Sequence, residues 1–153
     1  MKRLLKKLGA LSLVLLLLTA FAACSIPDDA SSSAAVSGLV QDGTYTTAED
    51  VSAYILAYGQ LPVNFITKAE ARSLGWSGGG LEEYAPGCCI GGDKFGNYEG
   101  SLPEADGRRY FECDINTLGK DIRGAERLVY SNDGLIYYTP DHYETFVLLY
   151  GEE

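Results

Sequence analysis

Apolar residues recur at Val51, Tyr54, Ile55 and Tyr58, the spacing of one helical face. Thr47 stands before them with Asp50 three residues on, which resembles a capping box, and Gly59 supplies a stop. The pattern predicts a helix between Thr47 and Gly59 whose apolar stripe is core. A second, shorter helix opens at Thr67, with Glu70 three residues on, and closes at Gly75. Lys68 falls in its first turn, where a cation opposes the helix dipole. As a solvated lysine it is locally misplaced, whereas a function would account for it. After Ala85-Pro86-Gly87 the pattern changes to short strand-like runs at residues 90–95, 109–115, 127–130, 135–138 and 145–149. Asp133 and Gly134 join two of these as a tight hairpin, and links that short exclude parallel crossovers there. Five such runs predict an antiparallel sheet.

Period two then sorts the strand "RYFECDI". Tyr110, Glu112 and Asp114 share one face, and Phe111, Cys113 and Ile115 the other. The apolar set belongs against the helices, so Glu112 points into an open cleft. A lone glutamate on a solvated sheet face is commonplace, and parity by itself gives it no task.

The N-terminus has a different logic. Lys2, Arg3, Lys6 and Lys7 precede the apolar run from Leu8 to Leu18, and small residues lead to Cys24. That is an export signal, residues 1–23, and the run is shorter than the roughly 20 apolar residues of a membrane span. "LTAFAAC" looks like a lipobox, in which Cys24 becomes the lipid-bearing first residue of the mature chain. Phe21 departs from the leucine usual at that place, so cleavage at an ordinary small-residue site, leaving a secreted protein, also fits. Residues 24–44, rich in Ser, Ala and Asp, predict a flexible tether, and residues 45–153 one domain of ordinary size.

Charge and cysteines narrow the chemistry. Residues 45–153 hold 8 Lys and Arg against 18 Asp and Glu, so the global field should repel a polyanion. Cys88, Cys89 and Cys113 cannot all pair internally, and with one histidine in the chain no zinc cluster is expected. A phosphate-binding GxxxxGK loop, GxSxG, HExxH, internal repeats and a basic nucleic-acid helix are all missing from the sequence.

What the domain does hold is Glu112, Arg123, Arg127 and the single His142, with Lys68 upstream. Cleaving an RNA phosphodiester without a metal needs such a set: a carboxylate to take the 2′-hydroxyl proton, a histidine to protonate the departing 5′ oxygen, and cations against the charge on phosphorus. Composition cannot assign those roles. A lone histidine is more often structural, and the two arginines fit an internal anion such as Asp114 as well as a bound one.

The strings "CIGGDKFGNYEG", "GRRYFECDIN" and "ERLVYSNDGLIYYTPDHYETF" resolve this, because they closely resemble the bacterial guanyl-specific ribonucleases of the barnase and binase family. The match runs in order from about Asp50 to about Leu149. The resemblance implies an α+β fold, with short N-terminal helices on one face of a five-stranded antiparallel sheet and the active site on the other. It implies Glu112 as base, His142 as acid, and Lys68, Arg123 and Arg127 as cations on phosphate. It further implies that Asp93 lies in the cleft, that Asp114 is buried and orients the arginines, and that Tyr143 sits beside the base or the phosphate.

The resemblance further implies that guanine selection falls to the loop Phe95 to Gly100, with Phe95, Asn97, Tyr98 and Glu99 as base contacts and Glu99 as the reader. A carboxylate accepts from guanine's ring NH and exocyclic amine together, a donor pair that adenine lacks. Tyr98 stands where the family carries an arginine, which keeps a flat stacking surface and removes a charge. The implied substrate is single-stranded RNA, cut after guanosine through a 2′,3′-cyclic phosphate by a cofactor-free monomer. A barstar-like inhibitor is the implied protein partner. Strand parity counted back from Asp93 puts Cys88 on the core side with Cys113 and predicts a Cys88–Cys113 disulfide, while a bulge at Gly91 and Gly92 would switch the partner to Cys89. The rival from another class is a non-catalytic lipoprotein that keeps the fold to bind a nucleotide, RNA or a protein.

Overall fold

A computed structural model describes residues 38–152. The signal segment, Cys24 and the tether as far as residue 37 lie outside the described residues. Helix α1, Ala48–Tyr58, begins where the Thr47 hydroxyl accepts the Asp50 backbone N–H and ends on Gly59, whose φ of 68° suits a residue without a Cβ. Tyr54 and Tyr58 donate their hydroxyls to the Gln41 and Leu39 carbonyls, at 2.7 and 3.2 Å. Part of the expected tether is therefore docked on this helix.

Helix α2, Lys68–Ser73, carries a complete capping box between Thr67 and Glu70 and stops at Leu74 with Gly75 following. The strands are β1 (Phe65–Ile66), β2 (Cys89–Phe95), β3 (Tyr110–Asp114), β4 (Arg127–Ser131), β5 (Ile136–Thr139) and β6 (Val147–Tyr150), neighbours in the order of the chain. The five expected strands pair antiparallel, and β1 adds a sixth that runs parallel to β2. Two residues carry no readable period. The connection from β1 to β2 contains α2 and is long enough for a parallel crossover.

Face assignments follow the alternation. Cys113, Ile115, Leu128 and Ile136 meet Val51 and Ile55 of α1 in one apolar cluster. On the opposite face Tyr110, Val129 and Tyr137 form a second cluster with Leu102 and Leu135, flanked by Phe95, Tyr143 and Phe146. The face expected to be open is thus half filled, and Glu112, paired with Val129 across β3 and β4, stands beside that apolar patch.

The helices do not share one core. Ala71 of α2 packs with Trp76, Leu81 and Ile90 in a third cluster. The cause lies in β2, where Gly91 pairs with Cys113 but Asp93 pairs with Glu112, so that Gly92, at φ 91°, is the extra residue of a bulge. The bulge restarts the alternation. Ile90 and Cys88 turn toward α2, and Gly91 faces Cys113 so closely that a Cβ there would lie 2.6 Å from the cysteine's own. The expected Cys88–Cys113 disulfide is corrected by this geometry: Cys88, Cys89 and Cys113 are all free thiols, with Cys88 and Cys113 in different clusters.

Candidate active site

Glu112 leaves the middle of β3 on the cleft face and is 8 % exposed. Both of its oxygens are engaged: Lys68 Nζ donates to Oε1, and the Tyr143 hydroxyl donates to Oε2. Lys68 reaches it because α2 is pinned at its first residue, where the Lys68 backbone N–H donates to Asp93 Oδ2 at 2.9 Å. Asp93 supplies a negative charge where the dipole wants one, which offsets the misplaced lysine. The bulge at Gly92 is what aims Asp93 there.

Asp114, two residues on and 1 % exposed, gathers both arginines. Arg123 embraces it through Nε at 2.5 Å and Nη2 at 2.6 Å, the bidentate geometry that suits a guanidinium and a carboxylate. That bond, more than any other influence, raises the Arg123 pKa. Arg127 Nε lies 2.9 Å from Asp114 Oδ1 as an ionic contact without hydrogen-bond alignment, while Nη1 donates to the Glu126 and Gly124 carbonyls at 2.7 and 3.2 Å. Arg127, 2 % exposed, sits between Asp114 and the Tyr143 hydroxyl, and Arg123 is the more accessible of the two guanidiniums.

His142 and Tyr143 occupy left-handed backbone at φ 59° and 78°, a strained conformation for non-glycine residues. Asp141 holds the turn. Its carboxylate accepts Thr139 Oγ1 at 2.9 Å, the Thr145 N–H at 2.9 Å and Thr145 Oγ1 at 2.6 Å, bonds that lower its pKa, those from Thr145 foremost. Thr139 Oγ1 in turn accepts the Tyr143 N–H at 2.9 Å, and the His142 N–H donates to the Ala125 carbonyl at 3.1 Å. The turn thereby presents an exposed imidazole 4.6 Å, centre to centre, from the Tyr143 ring. Burial, and then the bond to Glu112, pushes the Tyr143 pKa upward, so the phenol stays protonated and keeps donating.

The base-loop candidates separate into two kinds. Phe95 packs 5.2 Å from the Tyr143 ring and ties the loop to the turn that carries His142 and Tyr143. Asn97 spends its side chain on the loop itself, donating to the Leu102 carbonyl at 2.9 Å and accepting the Leu102 N–H at 3.0 Å. Only its backbone remains for a base. Tyr98, 95 % exposed, and Glu99 project into solvent, with the Tyr98 ring over Gly96.

Two participants were not legible beforehand. Asp141 precedes His142 in the sequence, and its spacing from Thr139 and Thr145 was the available signal. Trp76, whose ring lies 5.6 Å from the Arg123 guanidinium carbon, belongs to a loop that no sequence rule connects to the arginine. Among the described residues no three His, Cys, Asp or Glu side chains converge as a metal cluster would.

Comparison with known proteins gives the family. A family model described as ribonuclease matches residues 48–150. A ribonuclease of Heyndrickxia coagulans is 54 % identical over 102 residues, which covers 65 % of this chain and 93 % of that protein. A ribonuclease of Bacillus intermedius is 54 % identical over 102 residues, with 65 % of this chain and 62 % of the relative covered. Guanyl-specific ribonuclease St of Saccharopolyspora erythraea is 44 % identical over 57 residues, 37 % of this chain and 56 % of its own length.

Proposed function

The chain belongs to the ribonuclease family of barnase type, and from that premise we propose that it is a metal-independent endoribonuclease that cuts single-stranded RNA after guanosine. One observation carries the reading: a carboxylate with both oxygens oriented, Glu112, beside an arginine preset by a buried aspartate. Lys68 and Tyr143 orient the Glu112 carboxylate, which takes the 2′-hydroxyl proton as that oxygen attacks phosphorus. Arg123 and Lys68 meet the charge that develops on the phosphoryl oxygens, and their fixed partners spare reorganisation at that moment. Arg127, paired with Asp114 and close to the Tyr143 hydroxyl, adds a third positive charge there. His142, protonated, gives its proton to the leaving 5′ oxygen. A 2′,3′-cyclic phosphate results, and water opens it with the two roles reversed.

The preference for guanosine rests on the partial likeness to a guanyl-specific relative and on Glu99 in the exposed loop. Incubating the purified domain with guanylyl-3′,5′-adenosine in the presence of a chelator tests the reading. Guanosine 2′,3′-cyclic phosphate should appear first, then guanosine 3′-phosphate, and an intact dinucleotide would refute it. Export and lipid attachment at Cys24 are proposed from the leader alone, and Cys24→Ser should abolish labelling by a radioactive fatty acid.

A further inference from the structure

Arg123 is held on one side by Asp114, and its other side is as deliberately built. Trp76 lies three residues beyond the end of α2 and is 6 % exposed, packed on Ala71, Leu81 and Ile90 with its indole N–H donated to the Gly79 carbonyl at 3.2 Å. Its ring faces the guanidinium at 5.6 Å, within the range of a cation–π contact. The loop that follows Trp76 grips the loop that carries Arg123: the Gly80 N–H donates to the Asp121 carbonyl at 2.7 Å. The approach is so close that a Cβ on Gly80 would sit 2.2 Å from the Lys120 carbonyl oxygen. One short segment therefore sends Lys68 from its start to Glu112 and Trp76 from its end to Arg123.

We infer that Trp76 is a positioning residue for the reaction, holding Arg123 at a fixed distance from the Glu112 carboxylate, with Gly80 locking the two loops. This rests on the proposed role of Arg123 at the phosphate. Asp114 by itself sets the plane of the guanidinium but leaves the loop of residues 119–123 to be fixed from outside. The stacked ring and the Gly80 bond supply that restraint, and the exposed part of Arg123 is left free for an anion.

The chain has a single tryptophan, so its indole fluorescence reports on the surroundings of Trp76, the Arg123 contact among them. Arg123→Ala should shift Trp76 emission, and so should guanosine 3′-phosphate bound to the wild-type protein but not to Arg123→Ala. Trp76→Leu should lower kcat for guanylyl-3′,5′-adenosine by about 2- to 30-fold, the range that a partly desolvated cation–π contact spans, with KM changed less. Trp76→Phe should recover part of the loss. In an Arg123→Ala background the same Trp76→Leu substitution should cost nothing further. Gly80→Ala, which substitutes no catalytic side chain but pushes on the loop that carries Arg123, should reproduce the kcat loss and keeps the test open should Trp76→Leu fail to fold. Additive losses in the double variant, or unshifted emission in Arg123→Ala, would overturn the positioning role while leaving the ribonuclease reading intact. Full activity of Arg123→Ala would overturn both the positioning role and the assignment of Arg123 to phosphate.

Discussion

Glu112→Gln keeps the shape that Lys68 and Tyr143 address and removes the charge that takes the proton. Its effect thus isolates the base: cleavage should fall by at least the roughly 10²- to 10⁴-fold that one acid–base group is worth, with folding retained. His142→Ala should lose a similar factor in the cyclisation step. A folded variant of either kind with near wild-type turnover on RNA would sink the mechanism. Asp141 acts one residue away by bracing the strained turn, and its pKa is depressed by Thr145 and Thr139. A depressed carboxylate stabilises the fold above the ordinary aspartate pKa, and that contribution disappears as pH falls through the lowered value. The Tm gap between wild type and Asp141→Asn should therefore be constant above about pH 5 and close below about pH 4, measured by melts across that window. Glu99→Gln tests base reading apart from chemistry, since Glu99 touches no group around Glu112. It should weaken kcat/KM for guanylyl dinucleotides by the order of 1 to 3 kcal/mol and for adenylyl ones much less, so an equal loss on both would move the reading role to Tyr98 or the Asn97 backbone.

At the scale of elements, the bulge at Gly92 decides more than its length suggests. It turns Asp93 toward α2, separates Cys88 from Cys113, and places Gly91 against Cys113. Non-reducing peptide mapping of the domain should accordingly find no Cys88–Cys113 link, and recovery of that cross-linked peptide would contradict the register of β2. The bulge shows where sequence reading reached its limit. Thr47, Gly59, Thr67 and Glu70 announced both helices because caps are local chemistry, and the alternation in β3 placed Glu112 correctly because period two is local as well. A pair of glycines signalled that a bulge was available, but whether it forms depends on which strand lies opposite. The two residues of β1 could not announce themselves, and their pairing is settled by what α2 leaves exposed on β2. The contact between Trp76 and Arg123 joins loops 47 positions apart, where no spacing rule applies.

Over the whole molecule the charges work against the site. With 8 basic and 18 acidic residues from 45 to 153, the domain repels a polyanion at distances beyond the cleft. Within the cleft the excess of positive charge is small, because Lys68 is paired with Glu112 and both arginines with Asp114. A basic nuclease gains affinity through counterion release, and its binding to single strands falls as log salt rises with a slope of about −0.7 for each phosphate neutralised. Few phosphates are neutralised here, and the repulsion from the rest of the surface is itself screened once the Debye length drops to about 10 Å near 0.1 M salt. The opposing terms predict a kcat/KM on long RNA that changes little with salt or passes through a maximum at moderate ionic strength. A dinucleotide carries one phosphate and feels the distant surface weakly, so its salt response should be flatter still. Assays of both substrates from low to moderate salt decide the matter: a steep monotonic fall on long RNA from the lowest ionic strength would mean that cations outside Lys68, Arg123 and Arg127 gather the substrate.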